Sequence, residues 1–225
     1  DGIRYSVASR GLGDVYKRQI IAGLHPPTSG RVFLNEMEIT GLPPHALFAK
    51  GVLRTFQVAH EFSSLPVQDN LMMVPSNQSG EALLNVWLRP GKIKQEETQL
   101  KQKVDEVLEF LNLKELAGEP AGNLSGGQKK LLELARVIIQ KPKILLLDEP
   151  LAGVNPKLAE DLLDLIQKLA SGGISILMVE HNIEAVMKIS ERIVVLSQGK
   201  LIADGSPNEI RNDKNVIEAY LGKDD

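Results

Sequence analysis

Two adjacent carboxylates end an apolar run of the sequence. The run KILLLDE is typical of a buried strand, and Asp148 and Glu149 are its last two residues. At the carboxyl end of a parallel sheet, one such carboxylate can orient a hydrated cation while the other polarises a water molecule. The alternative is an acidic loop start after a core strand. The pair favours a hydrolytic site that uses a divalent cation.

A glycine-rich helix start provides a second chemical signal, in the sequence LSGGQ from Leu124 to Gln128. Ser125 and Gln128 have the spacing of a capping box, which alone predicts an ordinary helix start. That motif does not require Gly126 and Gly127, and each glycine costs a helix about 1 kcal/mol relative to alanine. Two glycines leave the backbone N–H groups open to close approach by an anion. The sequence therefore predicts an anion-binding helix start.

Two further polar residues follow apolar runs. Gln57 ends the run GVLRTFQ, and His181 follows the run ISILMVE. Each alone is typical of a satisfied polar group at a strand end. Together with Asp148 and Glu149, they are expected to gather on one edge of a sheet, which indicates a functional site.

The elements that must position these residues form an α/β pattern. Helical stretches separate the later apolar runs, and one of them begins with Asn155 as N-cap and Pro156 as its first residue. Strand, helix and strand with short connections predict right-handed crossovers and a mainly parallel sheet. A hairpin strand and a helix starting at Ser206 are expected near the end of the chain. The runs predicted as buried strands are residues 51–57, 143–149, 174–180 and 192–197.

A helical subdomain is predicted at about residues 66–140, inserted into the α/β core. Apolar side chains recur at helical spacing there, and no strand pattern lies nearby; they are Leu100, Val104, Val107, Leu108 and Leu111.

Composition narrows the classes of function. The 225 residues carry a net charge of −3, so no basic field indicates a nucleic acid partner, and none is expected. There is no cysteine, which excludes disulfides and thiolate metal sites and fits a reducing compartment. No apolar run approaches the roughly 18–20 residues of a membrane span, so a membrane role would require a partner.

These motifs resemble those of the nucleotide-binding subunits of ATP-binding-cassette (ABC) transporters. LSGGQ matches the family signature, ILLLDE its Walker B strand with the catalytic glutamate, Gln57 its Q-loop and His181 its switch histidine. The resemblance extends from about residue 20 to 225. The segments IIAGLHPPTSGRV, DEPLAGVNP, VEHNIEAVM and VIEAYLG are most similar to the branched-chain amino acid importer group, with the lipopolysaccharide-export ATPases second.

The resemblance implies an ATPase with ATP and Mg²⁺ as ligands, on a P-loop NTPase-type fold. Two subunits would close head to tail over two ATP molecules. Asp148 would orient Mg²⁺, Gln57 would touch the metal, and Glu149 would polarise the attacking water. His181 would contact the γ-phosphate, and residues 124–128 would face the ATP held by the partner.

The same resemblance implies partners and a location. The subunit would form a homodimer or heterodimer and bind transmembrane permease subunits at the cytoplasmic face of the inner membrane. It would energise transport, with uptake of branched-chain amino acids expected. A soluble ATPase acting on ribosomes or DNA is the rival within the superfamily, but such proteins usually carry tandem cassettes or long coiled coils.

The N-terminal segment of the chain departs from the family pattern. Asp14 falls at the position of the phosphate-loop lysine, and Val15 and Tyr16 fall at its hydroxyl positions. At roughly 4 Å and an effective dielectric constant of about 20, two unit charges interact by about 4 kcal/mol. A carboxylate in place of an ammonium replaces such an attraction to a phosphate with a repulsion. Weak ATP binding by this exact chain is therefore predicted.

Three explanations of residues 1–19 compete. In the first, the chain is a degenerate subunit that contributes only its signature motif to the site of a partner. In the second, it is a truncated subunit. In the third, residues 1–19 are not natural sequence. The last is favoured, with an incomplete ATPase domain over 20–225. In that case the sheet would lack its N-terminal strands, and its open central edge would promote aggregation and early melting.

Overall fold

A computed structural model of the chain describes residues 4–10, 19–34, 36–55, 61–75, 78–79 and 87–221, with the side chains of those between 19 and 219. Two compact units are present, one of residues 1–57 and 142–225 and the other of residues 58–141. The strands are β1 (Arg4–Arg10), β2 (Phe33–Leu34), β3 (Met37–Glu38), β4 (Val52–Arg54), β5 (Ile144–Asp148), β6 (Ser175–Glu180), β7 (Arg192–Ser197) and β8 (Lys200–Gly205). The helices are α1 (Pro44–Ala49), α2 (Val67–Met72), α3 (Pro90–Phe110), α4 (Gly126–Ile138), α5 (Pro156–Ser171), α6 (Ile183–Ile189), α7 (Pro207–Arg211) and α8 (Lys214–Leu221).

The first unit is built on a sheet in the order β4-β5-β6-β1-β7-β8. Neighbouring strands from β4 to β7 are parallel, and β8 closes one side antiparallel to β7. The predicted mainly parallel sheet is therefore confirmed, as is the hairpin near the end of the chain. Because parallel strands share one carboxyl edge, the ends of β4, β5 and β6 lie along the same side of the sheet.

The prediction of a sheet that lacks its N-terminal strands is wrong at the centre of the sheet. Strand β1 lies between β6 and β7 and pairs parallel with both, with Val7 opposite Val179 on one side and Val194 on the other. Backbone N–H and C=O groups of both neighbours are thereby paired, whatever the side chains of β1. The open central edge on which the prediction of early melting rested is not present.

Local sequence signals explain the helices of this unit. The Asn155 side chain accepts a hydrogen bond from the Leu158 backbone N–H at 2.9 Å, and Pro156 is the first residue of α5, as predicted. One face of α5 is buried, with Leu162, Leu163, Leu165, Ile166, Leu169 and Ala170. Ser206 caps α7 in the same way, through a capping box with Glu209. These caps satisfy N–H groups that lack a partner within the helix.

The second unit is helical. The helix predicted from the spacing of apolar residues between Leu100 and Leu111 is present as α3, with Leu111 as its C-cap. Val107 is half-buried, and the side chains of Leu100, Val104, Leu108 and Leu111 are buried. Helices α2, α3 and α4 pack pairwise against one another. None of the described helices is long and apolar enough to cross a membrane.

Candidate functional site

Asp148 ends β5 in a buried position at the carboxyl edge of the sheet. Its Oδ2 accepts a hydrogen bond from Arg54 Nη2 at 2.8 Å, and its backbone N–H donates to Thr55 Oγ at 3.4 Å. Arg54 is the last residue of β4 and Thr55 follows it, so the neighbouring strand holds both the carboxylate and the backbone of Asp148. A small cavity beside it is lined by Ile21, Arg54, Leu146, Leu147, Asp148, Leu177 and Val179.

Glu149 follows in an unusual backbone conformation. Its φ is +47°, in the left-handed region, which costs a residue with a Cβ about 1–2 kcal/mol. Its backbone N–H nevertheless continues the sheet by donating to the Val179 carbonyl at 2.9 Å. Strain of this kind is concentrated at functional sites, where the surrounding structure maintains it.

The Glu149 carboxylate meets His181 across the edge of the sheet. His181 Nε2 lies 3.2 Å from Glu149 Oε1, and the two side chains are 55% and 25% exposed. The pair is therefore accessible to solvent. A carboxylate oriented by an imidazole at hydrogen-bonding distance can act as a general base.

Glu180, which the sequence analysis did not identify, holds the turns around this pair. It ends β6 with only 4% of its surface exposed. Its Oε1 accepts a hydrogen bond from the Leu151 N–H at 2.8 Å, and its Oε2 accepts one from the His181 N–H at 3.1 Å. The available signal was a carboxylate directly before His181 at the end of an apolar run, the same pattern that identified Asp148 and Glu149.

The predicted anion-binding helix start belongs to the second unit. Ser125 Oγ accepts a hydrogen bond from the Gln128 N–H at 3.3 Å, and Gln128 Oε1 accepts one from the Ser125 N–H at 2.9 Å, so the capping box is confirmed. Leu124 is buried and anchors the turn, and Gly127 is half-buried in the first turn of α4. A Cβ on Gly126 would meet no atom within 4 Å. Packing therefore does not require glycine at 126.

The structure thus brings together Asp148, Glu149 and His181 in the first unit, and Leu124 to Gln128 in the second. Gln57 lies outside the described residues, and so do Asp14, Val15 and Tyr16 of the expected phosphate loop.

The side chains of the described residues that could coordinate a metal ion restrict which metal fits the site. No group of three or more His, Cys, Asp or Glu side chains among them is placed to hold a metal ion. Mg²⁺ commonly uses one or two carboxylates together with substrate phosphates and water, and Asp148 fits that use. Arg54 is bonded to one oxygen of this carboxylate, so a cation would share or displace that contact.

Sequence comparisons identify relatives over almost the whole chain. The profile of the family described as ABC transporter matches residues 18–152, and that described as branched-chain amino acid ATP-binding cassette transporter matches residues 200–225. A high-affinity branched-chain amino acid transport ATP-binding protein of Pseudomonas aeruginosa is 38% identical, covering 96% of this chain and 86% of its own length. A probable branched-chain amino acid transport ATP-binding protein of Archaeoglobus fulgidus is 36% identical, covering 97% and 84%.

Solved structures give the same result. A nucleotide-free ATP-binding cassette from an ABC transporter aligns with a TM-score of 0.81 and 32% identity over 99% of this chain and 89% of its own. The ADP conformation of an ATP-binding cassette aligns with a TM-score of 0.78 and 30% identity, again over 99% and 89%. With its parallel sheet of P-loop NTPase type, the chain belongs to the ABC transporter family, as one of its ATPase cassettes.

Proposed function

We propose that this chain is the ATP-binding and hydrolysing subunit of an importer for branched-chain amino acids. Its relatives of 36–38% identity are named for that transport, and the match over residues 200–225 favours this group over the lipopolysaccharide-export ATPases. The observation that carries the ATPase role is the contact between Glu149 and His181 beside Asp148. The proposed ATPase domain spans residues 20–225, with its helical part at about 66–140.

Each candidate site residue of the first unit has a proposed task in ATP hydrolysis. Glu149 accepts the proton of the water that attacks the γ-phosphate, and His181 holds that carboxylate through Nε2 while its exposed ring contacts the phosphate. Asp148 and Gln57 would hold Mg²⁺, which would supply neutralisation of phosphate charge. Phosphoryl transfer depends mainly on such positioning and charge neutralisation.

The second unit contributes to a shared site. Residues 124–128 face the ATP that another ATPase subunit holds, in a homodimer or a heterodimer. The exposed Ser125 and Gly126 and the N–H groups of the first turn of α4 support this role, since helix N-termini attract anions. Transmembrane permease subunits bind the pair and place it at the cytoplasmic face of the membrane.

Uptake by the reconstituted complex tests this function. The chain is assembled with the permease subunits of its own organism in proteoliposomes, and uptake of labelled leucine is followed with ATP. At an ATP concentration that offsets the weak binding expected from Asp14, ATP-dependent uptake is expected for wild type and for Glu184→Gln, which alters an exposed carboxylate on α6. Uptake should be lost in Glu149→Gln. ATP-driven uptake that survives this substitution would contradict the assignment.

A second candidate is a partner subunit that lends only its signature helix. It is favoured by Asp14 at the phosphate-loop lysine position together with the intact capping box of Ser125 and Gln128. The test adds this chain to an intact related subunit and measures ATP hydrolysis. Stimulation that is lost in Ser125→Arg but kept in Glu149→Gln would establish the partner role, and the reverse pattern would exclude it.

A further inference from the structure

The segment that follows Gln57 is fastened to the segment that leads into the signature helix. The Ala121 N–H donates to the Leu65 carbonyl and the Gly122 N–H to the Ser63 carbonyl, both at 2.9 Å. A Cβ on Gly122 would lie 3.0 Å from the Ser63 oxygen, so only glycine permits this approach without a shift. The contacts bring Glu61 to the first turns of α4.

Glu61 forms an ion pair with Lys129 at that place. Glu61 Oε1 lies 2.7 Å from Lys129 Nζ, and the two side chains are 10% and 28% exposed. The hydrogen bond from Lys129 is the largest influence that lowers the pKa of Glu61, and a further hydrogen bond comes from Ser63. An ion pair this sheltered from water is screened less by salt than a surface pair.

Lys129 is the fourth residue of α4 and therefore lies one turn from Gly126. Side chains of a helix tilt toward its N-terminus, so an unpaired ammonium at this position can reach the first turn. A cation there opposes the helix dipole but attracts any anion bound to the first turn. In the structure the ammonium is instead bound to the Glu61 carboxylate at 2.7 Å.

We propose that Glu61 is a positioning residue that binds the Lys129 ammonium and so withholds its charge from an anion at the first turn of the signature helix. The anion of the partner's nucleotide is then bound by Ser125 and the backbone N–H groups of that turn, without the charge of Lys129. The inference rests on the proposed role of residues 124–128 in the shared site. It predicts that loss of the Glu61 charge makes this turn bind anions more tightly.

Pyrophosphate binding to the full chain tests the inference without requiring hydrolysis. The Gly126 and Gly127 amide resonances of ¹⁵N-glycine-labelled protein are followed at low ionic strength, where charge effects are least screened. Glu61→Gln is expected to lower the dissociation constant at least about twofold, which is the effect of one unit charge at roughly 8 Å in water. Glu61→Asp, which keeps the carboxylate, should bind as wild type does. Glu109→Gln, which breaks the exposed ion pair with Lys114, is the matched control and should change nothing.

The double substitution separates two origins of tighter anion binding, namely release of the Lys129 ammonium and direct removal of the Glu61 charge. If Glu61 acts through Lys129, Glu61→Gln should give a smaller gain in a Lys129→Gln background than in wild type. An equal gain in both backgrounds, or no gain in either, would overturn the inference. Gly126 and Gly127 resonances that respond in no variant would overturn the anion role of residues 124–128 and this inference with it, whereas leucine uptake tests the transport function separately. Unfolding lowers affinity and so cannot mimic the expected gain.

Discussion

At the scale of single residues, three neighbouring carboxylates have different surroundings. Asp148 is buried against Arg54, and Glu180 is buried against two backbone N–H groups. Glu149 alone of the three is partly exposed, and its partner is a histidine. Burial with fixed donors suits a structural or metal-holding role, whereas exposure beside an imidazole suits proton transfer to and from water.

Glu180→Gln tests the structural role at this scale. The amide can accept only one of the two backbone hydrogen bonds, and its NH₂ group would face the other donor. A loss of about 1–3 kcal/mol is expected from one unsatisfied buried donor. Calorimetry should therefore show a Tm lower by roughly 2–12 °C, given a few degrees per kcal/mol at this chain length. Glu184→Gln on the exposed face of α6 should melt as wild type does, and equal Tm values for the two variants would contradict this role of Glu180.

At the scale of elements, the start of α4 separates what the fold needs from what a ligand needs. The capping box and the buried Leu124 serve the helix. Gly126 serves neither, because the space around it would accept a side chain. A residue that weakens its own helix without a packing reason indicates a requirement for close approach by a ligand.

Gly126→Ala should therefore stabilise the chain while impairing its function. The free energy of unfolding should rise by about 0.5–1 kcal/mol from the helix propensity of alanine, while ATP hydrolysis by the assembled complex should fall. Gly122→Ala is the contrasting variant, since its Cβ would press on the Ser63 carbonyl and lower stability. Denaturant titration with an ATPase assay checks both. A Gly126→Ala variant that loses stability together with activity would show that the fold requires this glycine.

The Glu61–Lys129 pair of the helical unit should be visible in the pH dependence of stability. The pKa of Glu61 is lowered from its ordinary value of 4.5 in the folded chain, so the pair stabilises the fold above pH 4.5. This stabilisation is lost as pH falls from 4.5 through the lowered pKa. The difference in the free energy of unfolding between wild type and Glu61→Gln should thus be largest near neutral pH and shrink in acid. A difference that does not change with pH would exclude Glu61 titration as its source.

At the scale of the whole molecule, strand β1 closes the sheet between β6 and β7. The sequence allowed the prediction of β5 to β7, of α5 and of the start of α4, because apolar runs, periodicity and caps such as Asn155 are local signals. It did not allow the prediction of β1, whose partners lie some 170–190 residues away and hold it through backbone hydrogen bonds. Glu180 was missed for a related reason, since its two donors are placed by the tertiary fold.

Val7→Pro tests the central position of β1. Proline removes the backbone N–H of a strand that is paired on both sides, and a loss of about 1–3 kcal/mol or more is expected because a carbonyl inside the sheet is left without its donor. Val7→Thr keeps both the N–H and the branched side chain and should cost much less. Denaturant unfolding measures the stability of both variants. Equal stabilities would contradict the central position of β1.

The central claim is that this chain hydrolyses ATP with Glu149 as the base that His181 holds. The measurement that tests it most directly is Mg²⁺-ATP turnover by the chain assembled with its permease subunits, in wild type, Glu149→Gln and Glu184→Gln, at an ATP concentration high enough to offset the weak binding expected from Asp14. Turnover by wild type and Glu184→Gln, with a loss of about 10²–10⁴-fold in Glu149→Gln at unchanged Tm, is the predicted result. Turnover in Glu149→Gln equal to wild type, or no turnover by the wild-type complex, would contradict it.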